Sequence, residues 1–412
     1  NAGYDQVIRY FEKLADSSPR VKFEIIGYTY EKRPQIMLTI TSPENLANID
    51  KIKSDRQQLR DPNAKIDFDK MPLVMAAGYS VHGNEASAIN SSILAAYHFA
   101  AANEIEQDLK NIIILIDPAL NPDGSNRYAS WVNTHRSYNL NGDPANREHS
   151  EAWPGGRGNH YWFDLNRDWL ALTQQDSRPK VEVFHQWYPN VQIDFHEMGK
   201  DSTYYFEPSP KSMHSPLIPA ASYEFNKTLA TYHAQALDAL GSLYYTGENF
   251  DNFSPVYGST YPDFHGAVGV TVEQASSRGR VQESVNGLLT FPFTIRNQVA
   301  TGLGTVRGAV AEREGLLSLQ KSFFQSALKQ AGQQPLKSFV FGDAHDPALT
   351  RRLLELLLLH RIEVHALDRA VTVDGQRFEA GSAYVVPVQQ AQFRLVHSIF
   401  AETPPIKGDV FY

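Results

Sequence analysis

The sequence predicts an α/β fold built on a mainly parallel or mixed sheet. Apolar runs of strand length alternate with stretches of helical periodicity from residue 4 to about residue 330, the grammar of a sheet with helices packed on it. One run, NIIILID at 111–117, is apolar everywhere except at its ends, which marks a central strand buried on both faces. Several ionisable residues stand where such runs finish, on the side of an open α/β sheet where ligands bind.

Residues 4–15 (YDQVIRYFEKLA) have the helical period, and the strand-like runs VKFEIIGYTY and PQIMLTITS follow. After a polar stretch, PLVMAAGYS (72–80) reads as a buried strand ending in a Gly-bearing turn, and the Ala-rich ASAINSSILAAYHFAAA as a packed helix. NIIILID comes next. From Asn121 to about Asp168 the chain is rich in Asn, Gly, Pro, Arg and Trp with little periodicity, and a loop of that length inside a compact domain is usually functional. A helix near 175–188, the strand VQIDFHE, a helix near 217–240, a Tyr- and Gly-rich loop at about 244–266, the strand AVGVTVEQ and long helices complete a first domain, 1–330. A linker falls around 331–337. Residues 337–412 then repeat the α/β alternation on a small scale, with KSFVFGD, the helix PALTRRLLELLLLHR, EVHALD and a hairpin, FEAGSAYVVPV. This second domain carries no recognisable chemistry, and its last run, Val410-Phe411-Tyr412, reads as a strand cut short.

A length of 412 residues suggests two to three units, and 42% hydrophobic with 20% charged residues is ordinary for a protein with a sizeable core. A formal charge of −8 argues against nucleic-acid binding and against attraction to anionic membranes. No apolar run approaches the roughly 20 residues that span a bilayer. Cysteine is absent, so neither disulfides nor thiolate ligands are available. Any zinc would be held by His and carboxylate, the donor set of a catalytic rather than a structural site.

Such a set exists. His82-Gly83-Asn84-Glu85 follows directly on PLVMAAGYS, and His196 ends the run VQIDF. A His and a carboxylate three apart on a turn can converge on one cation, but His-x-x-Glu alone is a weak signal. The third residue, again at a strand end, completes the two-His-plus-Glu set that leaves a fourth position for water.

These residues resemble the M14 family of zinc carboxypeptidases, whose ligands follow the order His-x-x-Glu and then a distant His. The resemblance covers about residues 5–320 and includes NPDG (121–124) after a central strand, DLNRDW (164–169) and Glu273 at the end of VTVE. It implies a three-layer α/β/α sandwich around a mixed, mainly eight-stranded sheet, with the small C-terminal α/β domain added as in a bacterial branch of the family. It implies one zinc per chain on His82, Glu85 and His196, and a peptide substrate with a free C-terminal carboxylate gripped by Asn166 and Arg167. Hydrolysis of the C-terminal peptide bond would use a zinc-activated water, with Glu273 as general base and then acid.

An arginine beside the metal would stabilise the oxyanion. Arg127, just after NPDG, is the first choice and Arg136 the second, with Arg147 and Arg157 left to brace the loop. Tyr257 and Tyr261 are the candidates for the family's mobile, substrate-covering tyrosine, and Asp263 nearby would favour a basic side chain. The loop at 143–169 is longer and more aromatic than in a digestive enzyme, which would suit a bulky or cell-wall substrate. An exported, periplasmic or secreted enzyme is what the resemblance implies. Two competing readings remain: a zinc amidase acting on peptidoglycan stem peptides or another amide-linked carboxylate, and a catalytically inactive peptide-binding member.

Overall fold

The computed structural model describes residues 1–61 and 63–401, so the run at 410–412 lies outside the described residues. Eight strands form one mixed sheet: β1 (Val21–Tyr28), β2 (Pro34–Ile40), β3 (Leu73–Tyr79), β4 (Ile112–Asp117), β5 (Val191–Met198), β6 (Tyr204–Phe206), β7 (Tyr244–Tyr245) and β8 (Val268–Ala275). Their order across the sheet is β1-β2-β4-β3-β5-β8-β6-β7. The central strands β4, β3, β5 and β8 are parallel neighbours, flanked by antiparallel β2 and β6.

Helices α1 (Tyr4–Ser17), α2 (Pro43–Ala47), α3 (Ile49–Gln57), α4 (Ala86–Ala101), α5 (Pro122–His135), α6 (Arg178–Trp187), α7 (Ala220–Asp238), α8 (Phe291–Ala311) and α9 (Arg313–Gln333) connect and cover the strands. The period of two along β4 explains why its run is apolar throughout. Ile112, Ile114 and Ile116 enter one core with Phe11, Ile89, Phe99, Leu229 and Val306. Ile113 and Leu115 enter another with Ile52, Val183 and Trp187. Each strand residue therefore meets one of two helical layers, and none meets water. The expected α/β/α sandwich is the observed one.

One expectation fails here. The sequence from Asn121 reads as loop, but Pro122–His135 is helix. Asn121 caps it by accepting from the Gly124 amide at 2.9 Å, and Pro122 supplies the preset φ of a first helical turn. Its buried stripe, Tyr128, Ala129 and Val132, is too short to give a visible apolar period.

Past α8's entry hairpin, β9 (Val281–Ser284) with β10 (Gly287–Thr290), the chain runs through α9 to Gln333 and resumes at β11 (Ser338–Gly342). Then come α10 (Pro347–Leu359), β12 (His365–Ala366), the hairpin β13 (Val371–Val373) with β14 (Gln376–Phe378), β15 (Ala383–Pro387) and α11 (Phe393–Phe400). A three-stranded sheet, β11-β15-β12, carries this segment. Leu357, Ile362, Val386, Leu395 and Val396 share a core with Ile218, Tyr223 and Phe264, so it is packed onto the preceding chain rather than tethered to it. Among the described residues no helix is long and apolar enough to cross a membrane.

Candidate active site

Parallel strands present their carboxyl ends on one side of the sheet, and three chain reversals there build the site. The turn after β3 carries His82 and Glu85. Gly83 is obligatory in it, because a Cβ at that position would lie 2.1 Å from the Ser125 amide nitrogen. A Cβ on Gly124 would likewise lie 2.3 Å from the Gly156 carbonyl oxygen. The ligand turn, the start of α5 and the loop at 155–158 are thus stacked backbone against backbone, and Asn121 adds a bond from its Nδ2 to the Arg157 carbonyl at 3.0 Å.

His82, Glu85 and His196 are all buried, and one donor atom from each lies within 4.8 Å of the others. His82 Nδ1 is 2.8 Å from Glu85 Oε1, and His196 Nδ1 is 3.0 Å from Glu85 Oε2. The outer nitrogens have carboxylates of their own: His82 Nε2 is 3.0 Å from Asp164 Oδ1, and His196 Nε2 is 2.9 Å from Asp194 Oδ2. A carboxylate on Nε2 orients an imidazole and leaves Nδ1 to a cation. Burial alone would lower both histidines, yet Glu85 and Asp164 hold His82 up, and Asp194 and Glu85 hold His196 well up. Burial likewise works against the Glu85 carboxylate, and the two histidines hold it well below the usual range. Two convergent imidazole nitrogens and a carboxylate, in a field this negative, fit a zinc ion.

Glu273 lies on β8 in register with His196 on β5, so the two side chains leave the sheet on the same face. Burial pushes its carboxyl up to about 8, with the nearby Glu85 adding to the shift against the opposing pull of His196. Asn166 and Arg167 sit on a single helical turn capped by Asp164, and Asn166 Nδ2 is 3.3 Å from His196 Nε2. The Arg167 guanidinium lies over the Tyr257 ring, 4.7 Å from its centroid. Arg157, Asn166, Arg167, Tyr257, Thr271 and Glu273 line one open cavity with the three candidate ligands.

The remaining sequence candidates fall elsewhere. Arg127 is a brace: its guanidinium donates to the carbonyls of Gly155 (2.6 Å) and Asn159 (3.1 Å). Arg136 is the C-cap of α5, where its charge adds to burial in depressing the Asn1 amino group, and it does not line the cavity. The arginine that lines the cavity beside Arg167 is Arg157, which donates to Asp164 Oδ2 at 2.8 Å and stands 3.8 Å from Glu85 Oε1. Tyr261 is fully buried, with its hydroxyl 2.9 Å from His185 Nε2 and 2.8 Å from His360 Nδ1, so it has no freedom to swing. Asp263 is buried behind β8 and accepts from the Gly269 amide at 3.1 Å; burial pushes it well up, away from any role as an exposed anion.

Besides Arg157, sequence reasoning missed Asp164 and Asp194. For Asp194 the signal was available, since residues two apart on a strand share a face with each other and here with a candidate ligand.

A model of the zinc carboxypeptidase family, Peptidase_M14, matches residues 7–263. Among solved structures, a metallo-carboxypeptidase from Burkholderia cenocepacia is similar over 75% of this chain and 69% of that one, with 14% identity and a TM-score of 0.53. Bovine thrombin-activatable fibrinolysis inhibitor, in complex with tick carboxypeptidase inhibitor, is similar over 76% of this chain and 98% of that one, with 12% identity and a TM-score of 0.51. At such identities these likenesses show the fold alone. No curated protein sequence matches the chain.

Proposed function

This chain belongs to the zinc carboxypeptidase family and is a zinc-dependent metallopeptidase, and from that premise we propose that it removes single residues from peptide C-termini at the cavity formed by His82, Glu85, His196 and Glu273. The observation that carries this reading is the nearness of the carboxylate clamp to the metal cup. Asn166 touches the ring of His196, and Arg167 is the next residue. A terminal carboxylate held there would bring the last peptide bond to the cup.

Arg167 grips the carboxylate with two parallel bonds, a geometry lysine does not offer. Tyr257, whose face already carries that guanidinium, keeps the fork aimed and covers the bound residue. His82, Glu85 and His196 would hold one zinc per chain, with Asp164 and Asp194 fixing the two rings. When bound, zinc polarises a carbonyl and lowers the pKa of water towards about 7. Glu273, beside His196 in the register, takes a proton from the attacking water and passes it to the leaving amine. Arg157, which stands beside Asp164 and Glu85, donates to the oxyanion that forms at the scissile carbonyl.

The test combines zinc analysis with digestion of a mixed peptide pool followed by mass spectrometry, wild type beside Glu273→Gln. About one zinc per chain, single-residue losses from C-termini, and their disappearance in the variant are expected. Zinc without such losses would move the activity to another amide, such as a stem-peptide link.

A further inference from the structure

Residues two apart on a strand face the same way, and along β5 Val191, Ile193 and Phe195 enter the core that they share with Ala88 and Ile89 of α4. The next residue on that face is Glu197, a carboxylate where the pattern calls for an apolar side chain. It is buried, and no step assigned above uses it. Both its oxygens are engaged. Oε1 accepts from the backbone amide of Ser87 at 2.9 Å, and Oε2 accepts from the Ser276 hydroxyl at 2.5 Å. The Ser276 amide in turn donates to the Met198 carbonyl at 3.0 Å. Glu197 therefore joins three segments: the first turn of α4, which starts beside Glu85, the end of β5, which carries His196, and the chain leaving β8, three residues beyond Glu273.

The bond to Ser87 has a particular meaning. The first amides of a helix lack partners within it, and the N-cap residue usually satisfies one, at the second or third position, with its own side chain. The N-cap of α4 is Glu85, and its side chain makes no such bond. Its two oxygens face the histidines instead, at 2.8 and 3.0 Å. Ser87 is the second residue of α4, so Glu197 accepts from an amide that the N-cap would otherwise satisfy. Ser80, just past β3, also holds this turn: its hydroxyl donates to the Glu85 carbonyl at 3.1 Å and accepts from the Ile89 amide at 3.0 Å. One carboxylate cannot both cap its own helix and reach the metal cup. We propose that Glu197 is a positioning residue that caps α4 in place of Glu85 and so reserves the Glu85 carboxylate for the cation. The proposal rests on the metal cup but not on which bond is cut, because its test involves no peptide cleavage.

The experiment compares Glu197→Gln, which keeps an oxygen for the Ser87 amide, with Glu197→Met, which fills similar space without one. Zinc affinity is read by competition with a chelator, and ligand geometry by the visible absorption of the cobalt(II)-loaded proteins. Glu197→Met should lose affinity about 10–100-fold and shift the cobalt bands, as Glu85 turns back to its own helix. Glu197→Gln should match the wild type in both. A merely structural role would lower the urea midpoint of the metal-free protein and leave affinity and bands alone. In a Glu85→Ala background the Met substitution should lower that midpoint further than it does in the wild type, since no second carboxylate remains to take up the cap. Wild-type affinity and bands in Glu197→Met, a Gln variant as impaired as the Met one, equal falls in both backgrounds, or a Met variant that does not fold overturn the proposal. A wild type that takes up neither metal removes the metal cup itself, and the proposal with it.

Discussion

Two histidines, His185 in α6 and His265, lie ahead of the amino ends of β5 and β8, and two candidate site residues, His196 and Glu273, lie near their carboxyl ends. The two ends have become different chemical environments from much the same residue types. At the carboxyl end, two histidines face Glu85, Asp164 and Asp194, and the carboxylates hold both imidazoles above their ordinary range. At the amino end, His185, His265 and His360 are joined through the hydroxyls of Tyr188 and Tyr261 and through backbone carbonyls. There burial dominates, taking His185 well below its ordinary value, His265 down to about 3 and His360 to about 4. A buried histidine among carboxylates is ready for a cation, and one among hydroxyls is a neutral joint. In this protein the joint seals the C-terminal segment onto the sheet, since His360 closes α10.

The largest effect expected from breaking this contrast is on catalysis. Glu273→Gln should lower kcat by about 10²–10⁴-fold with zinc content unchanged, whereas His196→Ala should lose both zinc and activity. Retained activity in Glu273→Gln would remove it from the proton-transfer role. Next is the carboxylate that has no counterpart at the amino end. Asp194→Asn leaves the His196 ring without its anionic partner, and zinc affinity, read by competition with a chelator, should fall about 10–100-fold. Unaltered affinity would mean that strand geometry alone orients His196.

The neutral joint should answer differently. Tyr261→Phe deprives His185 and His360 of the hydroxyl between them, and two buried imidazole nitrogens losing a partner should cost about 1–3 kcal/mol of stability by urea titration. KM and zinc content should not move. A raised KM with unchanged stability would return Tyr261 to the substrate-covering role that its place in the sequence suggested.

How much was legible follows from where each signal resides. The sheet and the three candidate ligands could be read because a strand's apolar period and its end are local features, as in Ile112–Ile116 and at His196. The choice of arginine could not. Arg127 and Arg157 are separated only by how Gly83, Gly124 and Gly156 let three backbones touch, and nothing in a loop without periodicity encodes that contact. Tyr261 was misplaced for a related reason, since its partner His360 comes 99 residues later in the chain. The helix α5 was missed because its apolar stripe is short, although Asn121-Pro122 is a cap signal that could have been weighed.

The effect most gradual in its onset is the acid response of the joint, and its sign separates the two histidine groups most cleanly. His360, with a folded value of about 4 against an ordinary 6.5, binds its proton more readily in the unfolded chain. Its contribution is therefore complete above about pH 6.5 and is lost as pH falls towards 4, at roughly 1.4 kcal/mol per pH unit. Arg60 and Arg361 lie near enough to His185 to add to the penalty for charging this cluster. Replacing His360 with Gln costs stability at pH 7 but removes that acid loss. The stability gap between wild type and His360→Gln, measured by urea titration at pH 7, 6 and 5, should therefore narrow as the solution is acidified. A gap that stays constant would mean that His360 titrates alike in the folded and the unfolded chain, and one that widens would place a carboxylate beside it, which would make the two ends of the sheet alike.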